Sequence, residues 1–108
     1  MEISSDVMST NLDNVSLPAI LRSLSDPTRL EIISRLAEAG TALSCDNFND
    51  LGKKSNLSQH YRNLRENGLV TIQRKGRHAF LELRVHALNQ HFPGLLEGVI
   101  SAKRASQS

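Results

Sequence analysis

Cysteine is almost absent: Cys45 is the single one in 108 residues. That excludes an internal disulfide and any all-cysteine metal cage within one chain. No apolar run approaches the ~20 residues that a membrane span requires, and the N-terminus lacks a basic-then-apolar signal pattern. A soluble, cytoplasmic protein with no membrane partner is therefore expected. There is no Ser/His/Asp set and no glycine-rich phosphate loop, and Cys45 has no recognisable base partner. Neither enzymatic activity nor a cofactor is expected from such a chain. No repeat or low-complexity segment interrupts it.

What is present is enough for one small domain. At 12.0 kDa and 39% hydrophobic residues, roughly two-thirds of the unfolded surface is buried on folding, and the chain lies above the apolar content of disordered sequences. The net charge of +2 conceals an uneven distribution. Residues 1–51 carry three basic side chains against eight acidic ones, whereas residues 52–84 carry eight basic ones against Glu66 and Glu82. A middle segment that basic is the footprint of polyanion binding, with a solvated charged surface as the alternative.

Hydrophobic periodicity divides the chain into elements. Residues 1–13 are polar and aperiodic, which predicts a flexible arm. Leu17, Ile20, Leu21 and Leu24 form a helical stripe, with Pro18 tolerable only in the first turn. Asp26 and Pro27 predict the cap and first position of a second helix, which carries Leu30, Ile32, Ile33, Leu36 and Ala37 and stops at Gly40. A short helix is predicted over Cys45–Leu51 around Phe48, closed by Gly52. Another helix starts near Ser55 and ends at Asn67-Gly68, with Leu57, Tyr61 and Leu64 facing inward. The period then changes to alternation through Val70 and Ile72, and again through Ala79, Leu81 and Leu83. Between these runs Arg74-Lys75-Gly76-Arg77 predicts a tight basic turn whose glycine takes positive φ. A last helix follows Pro93. The expected fold is mainly α (α+β): about five helices with a two-stranded β-hairpin. The expected organisation is the arm over 1–13, a DNA-binding and dimerisation domain over 14–103, and a frayed tail over 104–108.

Two helices joined by a tight turn, the second with a polar outer face, make a helix-turn-helix pattern. With Leu57, Tyr61 and Leu64 fixing that helix on the core, Ser55, Ser58, Gln59 and Arg62 are free to enter a major groove. Gln reads adenine and Arg reads guanine bidentately, and serine hydroxyls bond phosphates or base edges. Asn56 and His60 lie beside this stripe, and Arg74, Lys75 and Arg77 at the hairpin tip suit phosphates or a minor groove, as a wing. These residues make the chain a candidate sequence-specific DNA-binding transcriptional regulator. The rival reading is a winged helix serving as a protein-interaction module, its basic face docking an acidic partner.

The segments LRSLSDPTRLEIISRL, NLSQHYRNLRENGLV and RKGRHAFLEL, in that order, resemble the arsenic-repressor (ArsR/SmtB) family of bacterial winged helix-turn-helix regulators, over about residues 17–100. The resemblance implies a homodimeric repressor that binds a near-palindromic operator in double-stranded DNA and leaves it on an unidentified inducing signal. It implies a dimer interface of first and last helices, here Leu17, Ile20, Leu21 and Leu24 with Leu95, Leu96, Val99 and Ile100. The connection LGKKSNLS is one residue shorter than the family's usual one. The start of the reading helix is thus placed to within a residue or two, and Lys54, Ser55 and Asn56 exchange roles across that range.

The family's sensing residues are poorly represented. Where some members carry a Cys-x-Cys pair, this chain has Leu43 ahead of Ser44 and Cys45. Where others carry Asp-x-His, it has Arg84-Val85-His86, followed by Glu97 and by Ile100 at the fourth ligand's place. A cation in place of a carboxylate opposes metal binding, and no metal site is expected. Cys45 is a candidate redox or ligand sensor, with a buried small hydrophobe as the alternative. His78 is expected to contact phosphate or solvent, and His86 and His91 to be surface or capping residues.

Overall fold

The computed structural model describes Val7, Met8 and residues 10–107. Residues 1–6, Ser9 and Ser108 lie outside the described residues, and with them much of the expected arm and the end of the expected tail. In chain order the elements are β1 (Val7–Met8), a 3-10 turn (Leu12–Asn14), α1 (Leu17–Leu24), α2 (Pro27–Ala39), β2 (Leu43–Ser44), a 3-10 segment (Cys45–Leu51), α3 (Lys54–Glu66), β3 (Val70–Lys75), β4 (His78–Leu83), α4 (Val85–His91) and α5 (Leu95–Ser106). This is the mainly helical winged helix-turn-helix architecture.

Local chemistry accounts for the helix ends. The Ser16 hydroxyl accepts from the Ala19 N–H at 3.2 Å, with Pro18 held in the first turn of α1. Asp26 accepts from the Arg29 N–H at 3.0 Å ahead of Pro27, capping α2. Partial burial works against the charged form of Asp26, but the hydrogen bond from Arg29, helped by His60 and the Arg29 guanidinium, holds its carboxyl below the usual range. At the end of α3 the Leu69 N–H bonds the Leu64 carbonyl at 2.9 Å across Gly68. Gly68 has φ +74°, and a Cβ there would lie 2.3 Å from the Leu12 side chain. The backbone conformation disfavours other residues, and a Cβ would require Leu12 to move aside.

The hairpin pairs β3 with β4 from Val70↔Leu83 to Lys75↔His78. Its loop is Gly76-Arg77, with Gly76 at φ +65°, the conformation that a two-residue hairpin loop requires. The sheet is wider than the expected two strands. It has the order β1-β3-β4-β2, all neighbours antiparallel, because Leu43↔Leu81 and Met8↔Ile72 extend it on both sides. Two-residue strands have no readable period, so pattern analysis misses them. It also misses α4, whose start has no side-chain cap and which buries only Leu88.

The core lies between the helices and one face of the sheet. Ile20, Ile32, Ile33, Leu36, Phe48, Leu64 and Leu81 are nearly inaccessible to water. Leu12, inside the stretch read as a polar arm, is also buried in this cluster.

Candidate nucleic-acid interface

α3 is seated by Leu57 and Leu64, which are buried, and by Tyr61, whose ring meets Phe48 at 6.2 Å and a tilt of 56°. That seating leaves Lys54, Ser55, Asn56, Ser58, Gln59 and Arg62 exposed. The helix begins at Lys54 with no side-chain cap, so its first-turn N–H groups keep free hydrogen-bonding capacity.

One flank of α3 is engaged by the protein itself. The Arg29 guanidinium lies 3.1 Å from His60 Nδ1, and Asp26 lies 3.9 Å from the same nitrogen. The Ser23 hydroxyl donates to Asn63 Oδ1 at 2.6 Å, and Asn67 Nδ2 donates to the Asn63 carbonyl at 2.9 Å. His60 thus links α3 to Arg29 of α2 and to the Asp26 cap. Ser23, Arg29 and Asn63 were missed. Their signal is a second polar stripe, Asn56, His60, Asn63 and Asn67, running beside the outward one at helical spacing.

The wing carries Arg74, Lys75 and Arg77, all exposed. Lys75 Nζ lies 5.7 Å from the Phe80 ring centroid, a cation–π contact across the hairpin. At the base of the wing His78 Nδ1 is 3.2 Å from Asp46 Oδ2, so His78 ties the hairpin to the 3-10 segment. Arg62, Arg74 and Arg77 form no ion pair with a carboxylate among the described residues. Their charge is therefore available to an external anion. Several acidic side chains of the first half are by contrast engaged internally. Arg35 bonds Glu31 and Asp50, each at 2.8 Å, and Lys103 reaches Glu31 at 2.9 Å. This chain of pairs joins α2, the segment leading into α3, and α5. Hydrogen bonds first from Lys103 and then from Arg35 hold Glu31 below the usual carboxylate range.

Residues 24–73 match the helix-turn-helix domain family. That span opens at the end of α1, contains α2 and α3, and closes within β3. The chain is also 36% identical over 83 residues to a Bacillus subtilis (strain 168) protein named uncharacterized HTH-type transcriptional regulator YceK, covering 72% of this chain and 80% of that one. The chain belongs to the helix-turn-helix transcriptional regulators.

Within this helix-turn-helix regulator the residues expected to pair two subunits divide. Ile20, Leu24, Leu96 and Ile100 are buried in the chain's own core. Leu17 at 43% and Leu21 at 45% exposure face solvent, and Leu95 and Val99 are partly buried. The alternation arises because each helix has one face toward its own core, so a stripe read as a single surface divides between core and solvent.

Cys45 is half-buried where the 3-10 segment meets α3. Burial pushes its thiol up to about 11, with Asp46 adding to that shift and Tyr61 and Arg74 opposing it. Below that range the group is a thiol and a poor nucleophile. Arg84, at a place where a resemblance-based metal ligand would stand, donates to the carbonyls of Thr10 and Gly68. His91 pairs with Asp13 at 2.8 Å and donates its other ring nitrogen to Ala87. Among the described residues no three His, Cys, Asp or Glu side chains come together as a metal site, and no helix is long and apolar enough to cross a membrane.

Proposed function

We propose that the helix-turn-helix regulator is a dimeric transcriptional repressor of the arsenic-repressor type, reading a near-palindromic operator with α3 and releasing it when an inducer binds. The observation that carries this reading is the exposed Ser55, Ser58, Gln59 and Arg62 stripe beside the uncompensated cations Arg74 and Arg77. An interaction module needs a charged face or a polar helix; base readout needs both, in adjacent elements. The first turn of α3, uncapped and led by Lys54, adds a place for a backbone phosphate.

Dimerisation follows from recognition geometry. One reading helix covers too few base pairs for an operator, and two copies about one DNA turn apart supply the rest. Of the expected set, the exposed Leu17 and Leu21 of α1 and the partly buried Leu95 and Val99 of α5 are the apolar side chains left for that contact. A repressor of this kind works in the cytoplasm and carries out no reaction of its own.

Fluorescence anisotropy against the DNA upstream of its own gene and against random duplex tests the proposal. Preferential, salt-dependent binding with two chains per site is expected. Equal affinity for both duplexes at micromolar protein would sink it. Leu21→Glu is expected to halve the mass in sedimentation and to weaken operator binding while leaving the helical circular dichroism intact.

A further inference from the structure

A groove of about 540 Å³ runs between α3 and the β3–β4 hairpin. Its two layers differ chemically. The apolar surface of its floor comes from the half-buried Tyr61 and Ala79 and the edge of Ile72, with the buried Leu57 and Leu81 packed beneath them. The rim holds Arg62, Arg74 and Arg77, which with Lys54 beside them pair with no carboxylate among the described residues. Asp46, an acidic group on this wall, is engaged by His78 at 3.2 Å.

We infer that this groove binds a small organic anion, an aromatic or aliphatic body on the apolar floor with a carboxylate, sulfonate or phosphate head under the guanidinium rim. A DNA phosphate needs the rim alone and leaves the floor empty, since the backbone of a duplex carries no apolar body to fill it. The volume lies within the roughly 300–1,000 Å³ of small-molecule sites, and apolar walls with a few convergent polar groups are their usual chemistry. Guanidinium groups with no internal partner bind such a head by charge-assisted, bidentate hydrogen bonds.

The location makes the ligand a regulator, a consequence that rests on the DNA-binding reading above. Arg62, Arg74 and Arg77 belong to the proposed DNA-contacting set, so an anion held among them neutralises charge that the duplex needs. It also stands between reading helix and wing. Ligand and operator therefore exclude each other, and the inducer is an amphiphilic anion.

The test uses the full chain and anilinonaphthalene sulfonate as the probe, with inorganic phosphate as a headgroup without a body and phenylnaphthylamine as a body without a charge. Expected are one bound probe per chain, probe-induced amide shifts at Tyr61, Ala79 and Leu81, and weaker binding of the neutral analogue. Arg74→Ala is expected to weaken the probe about tenfold, the loss of one charge-assisted contact. Ala79→Leu, which fills the floor, is expected to weaken it at least as much. Thermal melts identify a variant that fails to fold, and the amide shifts of the unmodified chain then decide.

Unchanged affinity in both folded variants, shifts confined to the Leu17 and Leu21 patch, or displacement by phosphate as effectively as by the sulfonate overturns the ligand site. In the DNA arm, the probe is expected to lower duplex affinity in proportion to its occupancy. Unchanged duplex affinity with the groove full overturns the antagonism. A chain that fills its groove but binds no duplex leaves the ligand site supported and removes the proposed function.

Discussion

The Ser23 hydroxyl donates to Asn63 Oδ1 at 2.6 Å, joining α1 to the flank of α3. Ser23 is 2% exposed and is the one buried polar residue among the described residues, so this bond disposes of a hydroxyl that water cannot reach. Asn63 has a second partner in Asn67 Nδ2, 3.3 Å from the same oxygen. The two ends of the bond are therefore unequal. Asn63→Ala strands a buried hydroxyl and is expected to cost about 1–3 kcal/mol, whereas Ser23→Ala leaves Asn63 still paired and is expected to cost about 1 kcal/mol. Urea unfolding of both variants checks the order, and a costlier Ser23→Ala would contradict it.

Gly68 is the second place where α3 depends on a distant residue. Alanine there meets the Leu12 side chain and must adopt φ +74°. Gly68→Ala is expected to destabilise by about 1–2 kcal/mol from the left-handed backbone alone, and by more where Leu12 cannot move aside. In combination with Leu12→Ala the two losses are expected to be less than additive, because the second change removes the clash. Full additivity in a double-mutant cycle would show that Leu12 does not carry the strain.

His91 supplies a pH dependence. Its hydrogen bond to Asp13, and next the one to the Ala87 carbonyl, raise its pKa above the ordinary value of 6.5. A raised folded-state pKa means that the protonated form is favoured by folding. The stabilisation is fully present below the unfolded value and is lost as pH rises through the higher folded one. NMR titration of the ring protons is expected to show His91 midway above 6.5, and Asp13→Asn to return it toward that value. A midpoint at or below 6.5 in the unmodified chain would be inconsistent with the pair.

Base readout and phosphate binding separate by variant. Gln59→Ala and Arg62→Ala are expected to lose discrimination between operator and altered sites by roughly 1–3 kcal/mol for a bidentate contact. Arg77→Ala is expected to weaken all sequences alike and to reduce the slope of log affinity against log salt by about one. Altered sequence preference at an unchanged salt slope in Arg77→Ala would reverse that division.

Much of the fold is legible in the residue order. The Asp26-Pro27 start and Gly40 stop of α2, the Cys45–Leu51 segment closed by Gly52, the Asn67-Gly68 end of α3 and the Gly76 turn all fall where local chemistry places them. Each is a statement about a few adjacent residues, and caps, positive φ and fixed proline geometry act at that range. The strands β1 and β2 and the helix α4 were not legible, since their existence depends on partners such as Ile72, Leu81 and the core around Leu88.

The site divides along the same line. By itself the sequence determined that the basic charge collects in the segment of α3 and the hairpin, and that Ser55, Ser58, Gln59 and Arg62 share a face opposite Leu57 and Leu64, because helical period alone sets which residues are opposed. Only the tertiary structure decided that His60 and Asn63 turn to Arg29 and Ser23, that Ile20, Leu24, Leu96 and Ile100 belong to the chain's own core, and that an apolar floor lies under the arginines. A side chain's face follows from its own helix, but its partner follows from which other helix or strand packs beside it.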